Sequence, residues 1–433
     1  MADVQPLSAL RYDTSIAGAL ADVTAPPYDV ISPRQRDELI ARSRFNVVAV
    51  DIPLMNTQGR LESESGTPKG GGRDPYTAAG ELFASWRREG AIVQDGAPAL
   101  WVHTQEYTGP DGIARTRRGF FCRTRIEDYG EGRVRPHERT HPGPKEDRLR
   151  LMRATRANLS PIFALHSDPG HDAWEALAPG AGEQPAGEVT DADGTVHRIW
   201  RAGGSEQIGA VREALKDAEL LIADGHHRYE TARTYAQEIG GDGPHRYVLT
   251  CLVALEDPGL TIFPTHRLVN GLDGDRREAL LAAIDRDFDV EEVAIEQLAP
   301  PPGDGPLQLG LLDRRMQPLR LTLKDQAIAA RALPDRSDAY RHLDTGVLEA
   351  LLLRDALGLS EHAIAELDGL WYARDAAEAV ALVRGGEQDA AFLMRPTPVA
   401  QVRAVAAAGE HMPPKSTYFF PKLLTGLLFN PLA

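Results

Sequence analysis

The segment Leu220-Leu221-Ile222-Ala223-Asp224-Gly225-His226-His227-Arg228-Tyr229-Glu230-Thr231-Ala232 decides how this chain is read. Four apolar residues of strand length run into Asp-Gly, and a helical stretch follows to Ile239, where Gly240 ends it. Gly225 permits a sharp turn, and Asp224 is placed to cap the helix. A helix start presents backbone N–H groups and the positive end of the helix dipole, so it attracts anions. His226, His227 and Arg228 add side-chain donors in the first turn. In α/β proteins ligands gather at the carboxyl ends of strands, which is where this turn falls. The plain alternative is an ordinary capped helix with solvated polar residues. Three consecutive basic side chains crowd one another without a counterion, and that favours an anion site. Adjacent helical residues diverge in direction, so the His pair makes a poor metal site.

Working outward, strand and helix patterns alternate, which predicts an α/β (α+β) architecture. Ser32-Pro33 opens a helix running to about Arg44, with serine at the N-cap and proline at the first helical position. Asn46 to Ile52 reads as a strand, Thr57 to Asp74 as a Gly- and Ser-rich loop, and Tyr76 to Glu89 as an amphipathic helix. Leu100–Tyr107 and Gly119–Ile126 read as a strand pair around Pro110-Asp111-Gly112. Lys145 to Asn158 is a basic helix, Pro161 to Leu165 a buried strand, and 168–202 a peripheral hairpin or linker. Tyr247–Leu255 and Thr261–Val269 follow as strands. Composition shifts beyond Asn270, so the expected division is 1–270, with insertions near 56–74 and 168–202, and an α+β domain over 271–433. In that second part Arg276–Phe288, Leu348–Leu357 and Val399–Ala408 read as helices. Leu307–Leu312 and Leu319–Leu323 read as a hairpin, and Ala390–Met394 as a buried strand.

Composition narrows the function classes. The net charge of −15 argues against a broad nucleic-acid surface, while leaving room for a local basic pocket. Cys122 and Cys251 are the only cysteines, too few for a disulfide framework or a Cys-rich zinc site, and they suit a reducing compartment. The first residues lack a basic stretch followed by an apolar one, and no apolar run approaches the roughly 20 residues that span a bilayer. The expected location is cytoplasmic, with no membrane partner.

Three further segments carry candidate chemistry. Ala25-Pro26-Pro27-Tyr28-Asp29-Val30-Ile31-Ser32 presents Asp29 just before a helix start, either as a turn residue or as a carboxylate for a substrate hydroxyl. Arg135-Pro136-His137-Glu138-Arg139-Thr140-His141-Pro142 contains the zinc-protease spacing His-Glu-x-x-His. That motif needs a helix, and the flanking prolines oppose one. Lys145 and Arg148 lie close enough to this turn to reach an anion. Pro264-Thr265-His266-Arg267 follows a strand. In the tail, Lys415-Ser416-Thr417 offers one cation and two hydroxyls without a Gly-rich phosphate loop, and Leu423, Leu424, Leu427, Leu428 and Phe429 follow at helical spacing.

Together, Ala25–Ser32, His137-Glu138 with Thr140, Lys145–Arg148, Ala223–Ala232, Pro264–Arg267 and Lys415–Pro431 resemble a bacterial family of unknown function, DUF1015, over nearly the whole chain. The Asp-Gly-His-His-Arg segment also resembles free-serine kinases with a ParB/sulfiredoxin-like fold. The resemblance implies a nucleotide-binding core of that fold and phosphoryl transfer from ATP or ADP, with Mg²⁺, to free L-serine or a similar small hydroxyl compound. It implies that Gly225, His226, His227 and Arg228 hold phosphates. Asp224 organises Mg²⁺ or phosphate and is a catalytic candidate. Asp29 stands where the kinases usually place a Glu, one methylene shorter. His137, Lys145, Arg148, Thr265, His266, Lys415, Ser416 and Thr417 complete the expected phosphate-binding set. The alternative is a ParB-like nucleotide-binding regulator without kinase activity.

Overall fold

The computed structural model describes residues 3–53, 74–130, 132–138, 140, 142–182, 184–303, 305–366 and 368–433. The loop expected at 57–74 lies, up to residue 73, outside them, as does His141. The architecture is mixed α/β, and the chain divides into two compact units. Residues 1–136, 140–260 and 421–433 form the first, and 137–139 with 261–420 form the second.

The first unit is built on a nine-stranded sheet. Its path runs Val134–Arg135, Leu220–Asp224, Ile162–His166, Tyr247–Ala254, Ala114–Arg125, Leu100–Thr108, Val196–Ala202 and Gly187–Thr190, with Val4–Gln5 paired to Ala114–Arg125 off that path. The pairings of Leu220–Asp224 with Val134–Arg135 and of Tyr247–Ala254 with Ile162–His166 are parallel, and the others antiparallel. Tyr247–Ala254 is apolar on both faces because neighbours cover both, and Val248, Leu249, Cys251, Leu252 and Val253 are buried. On one face Tyr229, Ala232 and Tyr235 of helix His226–Ile239 pack into a core with Ile162, Ala164, Leu220, Ile222 and Val248. Helix Pro142–Thr155 lies alongside and joins it through Arg153 to Glu238. The stretch 168–202 supplies a hairpin, Gly187–Thr190 with Val196–Ala202, that forms one edge of the sheet.

The helix opening at Ser32 spans Pro33–Arg42 and carries a full capping box with Gln35. The strand expected at 46–52 is instead a helical turn, Val48–Asp51. Asn46 explains the difference. Its Oδ1 accepts from the Val48 N–H at 3.0 Å and its amide donates to the Asp22 carbonyl at 2.7 Å. A side chain that satisfies the local backbone removes the need for a ladder. The leucines of 423–428 are buried as expected, yet form no helix. There the chain is extended. Thr425 and Ala25 exchange N–H···O bonds at 2.8 and 3.1 Å, and Phe429 exchanges two with Leu10. Gly426, at φ +96°, makes the bend between them.

The second unit carries a six-stranded antiparallel sheet ordered Phe288–Glu292, Leu319–Leu323, Gln308–Asp313, Ala390–Leu393, His266–Val269 and Leu370–Ala373. The hairpin expected near 307–323 is present. The single strand expected over 261–269 is two: Thr261–Phe263 pairs with Tyr418–Phe420, and His266–Val269 enters the sheet. Pro264, which lacks an N–H, lies in the break. The helix expected at 348–357 begins as Asp344–Leu348 and continues over Glu349–Ala356 with π winding.

Candidate functional site

In the first unit the strand Leu220–Asp224 does not run straight into its turn. Its register against Ile162–His166 shifts between Ile222 and Asp224, so that Asp224 faces Phe163. Such an irregularity re-aims a side chain at a strand end. Gly225 then takes φ +99° and is the N-cap of the helix. A Cβ there would stand 3.1 Å from the Arg228 Nε. The N-cap position thus belongs to Gly225 and not to Asp224, the residue expected there from the sequence. Its Oδ2 accepts from Arg228 Nη2 at 3.1 Å, and its Oδ1 lies 3.6 Å from Lys422 Nζ. Arg228 also donates to the Pro161 carbonyl and is buried. This arginine ties turn to strand and balances Asp224. Burial works against its charge, while Asp224 and then Asp29 hold its proton more tightly than an ordinary arginine. His226 is buried and His227 half-buried in the same first turn.

Asp29 is exposed on a single 3₁₀ turn, Tyr28–Val30. Its charge reaches Arg228, Tyr28 and Asp51, so the N-terminal segment and the 224–228 turn share one electrostatic neighbourhood. Behind them lies a buried ion network. Arg148 is 5 % exposed and pairs with Asp51 at 3.0 Å and Asp147 at 2.5 Å. Tyr76 donates to Asp147 at 2.7 Å, and the Arg148 guanidinium stacks 4.3 Å from the centre of the Tyr28 ring. Burial lifts the Asp51 carboxyl above the usual range, with Arg148 pulling the other way. Arg148 was expected to reach an anion; the structure places it in internal ion pairs. Tyr28, Asp51, Arg148, Ser160, Arg228 and Thr231 border a cavity of about 40 Å³. That is room for one or two water molecules and far too little for a nucleotide. Lys145 is half-buried on helix Pro142–Thr155, and its carbonyl faces the Thr231 hydroxyl at 3.5 Å.

The remaining candidates belong to the second unit. His137 Nε2 and Thr417 Oγ1 are 2.9 Å apart, the His137 carbonyl accepts from the Met412 N–H, and Phe419 meets the imidazole edge-on. Ser416 donates to the Pro413 carbonyl and lies 3.0 Å from the Thr345 hydroxyl. Lys415 holds φ +56°, unusual for a residue with a side chain. Thr265 is buried, and its carbonyl accepts from Arg267 at 2.5 Å. His266 Nδ1 accepts from the Met394 N–H at 3.1 Å, and burial pushes its pKa down to about 4. It is neutral near pH 7 and offers an incoming phosphate no positive charge. His137 and Glu138 lie outside any helix, so the zinc-protease spacing lacks its geometry. Among the described residues no group of three or more His, Cys, Asp or Glu is arranged to hold a metal, and no helix is long and apolar enough to cross a membrane.

Lys422, Asp51 and Asp147 were missed from the sequence. Asp51 lay inside the apolar strand expected over Asn46 to Ile52. Lys422 stood five residues past the Lys-Ser-Thr group that drew attention, and its placement depends on a contact with residue 224, far away in sequence.

The chain resembles a conserved hypothetical protein from Pyrococcus furiosus at 16 % identity, over 66 % of this chain and 87 % of that one, with a TM-score of 0.34. A free serine kinase in complex with AMP aligns at 14 % identity over 66 % and 83 %, TM-score 0.36. SbnI with a C-terminal truncation, from Staphylococcus aureus, aligns at 12 % over 72 % and 87 %, TM-score 0.37. No curated protein matches. The model of a family described as a protein of unknown function, DUF1015, matches residues 4–346, and the chain belongs to that family.

Proposed function

We propose that the first unit binds the phosphates of ATP or ADP at the start of helix His226–Ile239 and transfers one phosphoryl group to free L-serine or a similar small alcohol. The observation that carries this reading is Asp224 between Arg228 and Lys422 at the N-terminus of a 14-residue helix, with exposed Asp29 in the same electrostatic neighbourhood. Phosphoryl transfer needs positive charge around the phosphate, a positioned hydroxyl and a carboxylate beside it. The helix-start amides, His227 and Lys422 serve the first need, and Asp29 the last. The acceptor oxygen attacks the terminal phosphorus as its bond to the bridging oxygen breaks. Asp29 takes the hydroxyl proton, and ADP (or AMP from ADP) leaves with the bond's electron pair. Arg228 and Arg148 act one layer back by holding Asp224 and Asp51. On this reading the core is a ParB/sulfiredoxin-like nucleotide-binding fold.

Mg²⁺ commonly arrives on nucleotide phosphates and takes only one or two protein carboxylates. Asp224 fits that modest demand, and the ion when bound would supply charge neutralisation at the phosphates. His137, Lys415, Ser416 and Thr417 belong to the second unit, and this reading gives them no part in the first unit's phosphate site. His266 and Thr265 are better described as structural.

The test is incubation of the purified protein with Mg²⁺, L-serine and either ATP or ADP, followed by ³¹P NMR. O-phosphoserine should form, and Asp29→Asn should lower kcat by roughly 100-fold or more, the low end for loss of a general base, with nucleotide affinity retained. Nucleotide binding without turnover would instead favour a regulator. Absence of both would end the proposal.

A further inference from the structure

Arg117 and Gln105 are directly opposite each other on neighbouring strands of the large sheet, each 1 % exposed. Arg117 Nε donates to Gln105 Oε1 at 2.9 Å, and its Nη2 donates to the Pro421 carbonyl at 2.6 Å. Gln105 Nε2 in turn donates to the Lys422 carbonyl at 3.0 Å. Two buried side chains thus grip two successive peptide carbonyls of the C-terminal segment. The guanidinium also lies 4.5 Å from the centre of the Phe163 ring, and Phe163 is the register partner of Asp224. Taking a guanidinium out of water is costly, and an apolar side chain of similar volume commonly packs as well or better. Burial pulls the Arg117 pKa down to about 10, while the Asp224 charge is among those that favour its protonated form. An arginine here has a consequence that an apolar residue would lack: the backbone of Pro421 and Lys422 is held from below.

We propose that Arg117 and Gln105 are positioning residues for Lys422. By clamping the Pro421 and Lys422 carbonyls they fix the Lys422 ammonium 3.6 Å from Asp224, where it acts as the side-chain cation of the phosphate site. This assignment rests on the proposed phosphate-binding role of that turn. Without the clamp the backbone that carries Lys422 could shift, and the base of its side chain with it, and ordering backbone costs about 1–2 kcal/mol per residue. The clamp does that ordering during folding, before any nucleotide arrives.

Gln105→Glu separates the two halves of the idea. It keeps an acceptor for Arg117 and removes the N–H donor to Lys422. ADP affinity, read by calorimetry with Mg²⁺, should fall roughly fivefold, the effect of losing one hydrogen bond. Exchange of the amides in 422–425, read by mass spectrometry without nucleotide, should quicken. Lys422→Met should weaken ADP by roughly tenfold or more, as expected for a charge-assisted contact. Adding Gln105→Glu to Lys422→Met should then change affinity less than twofold, because residues acting through one group are not additive. If Gln105→Glu lowers the thermal midpoint by more than about 5 °C, Arg117→Lys carries the same comparison, keeping the charge and losing one donor arm. Unchanged exchange with unchanged affinity overturns the clamp, and so does an undiminished effect of Gln105→Glu in the Lys422→Met background. A wild-type protein that binds neither ADP nor ATP overturns the phosphate reading, and the cation role of Lys422 with it. Faster exchange in that case would show a clamp that serves only the fold.

Discussion

Two turns in this molecule look alike on paper. Asp224–Arg228 and Lys415–Thr417 each combine a cation with polar donors at a chain reversal, and both read as phosphate grips. Their surroundings differ. The first sits at the start of a long helix among charged groups that balance one another: Asp224 with Arg228 and Lys422, and behind them Arg148 with Asp51 and Asp147. In the second, Ser416 and the neighbouring Arg267 are committed to backbone carbonyls. Ser416 is tied to the Pro413 carbonyl and Thr345, and His266, on the same unit, is kept uncharged by burial. The lesson is that residue types announce donors, while burial and partners decide which donors carry charge.

The largest expected effect tests the charged side. Arg148→Met would leave Asp51 and Asp147 buried without their cation, which costs about 3–5 kcal/mol for a broken buried pair. Urea unfolding of the variant should show that loss, and a change below about 1 kcal/mol would mean that the network is not what holds helix Pro142–Thr155 to Val48–Asp51. The neutral side is tested by pH. His266 has a folded pKa of about 4 against an ordinary 6.5. A depressed value means that folding favours the neutral ring. The stabilisation is complete above about pH 6.5 and is lost as pH falls towards 4, amounting to about 3 kcal/mol at about 1.36 kcal/mol per pKa unit. Thermal midpoints of wild type and His266→Asn should therefore converge as the pH drops through this window, because Asn keeps an acceptor for the Met394 N–H and cannot titrate. Parallel curves would refute the assignment. The smallest effect contrasts the two backbones directly. Gly225→Ala should cost about 1–2 kcal/mol at φ +99°. Lys415→Gly, relieving φ +56°, should be neutral or stabilising by up to about 1 kcal/mol. If Lys415→Gly also leaves ADP affinity unchanged while Lys422→Met weakens it, the comparison is sharpened to a single lysine.

Much of the fold was legible where local pattern and burial agree. The strand–turn–helix at 220–239, the capping box at Ser32, the hairpin of 308–323 and the central strand at 247–254 all follow from period, turn chemistry and capping residues. Reading failed where a side-chain bond to nearby backbone, or a distant partner, overrode the apparent period. Val47, Val48, Val50 and Ile52 have the composition of a strand, yet Asn46 satisfies the backbone locally and the run closes into a helical turn. The apolar tail has helical spacing, yet Ala25, Leu10 and Asn158 draw it into extended pairing.

By itself the sequence determined that the chain is mixed α/β, that a glycine-permitted turn ends an apolar strand at Asp224, and that basic side chains open the helix beyond it. These are local matters of side-chain period and backbone freedom. The tertiary structure alone decided which charges meet. Asp224 could not be known to meet Lys422, nor Arg148 to be spent on Asp51. Coulombic partnership depends on distance in space and on exclusion of water, and neither is written in the order of residues.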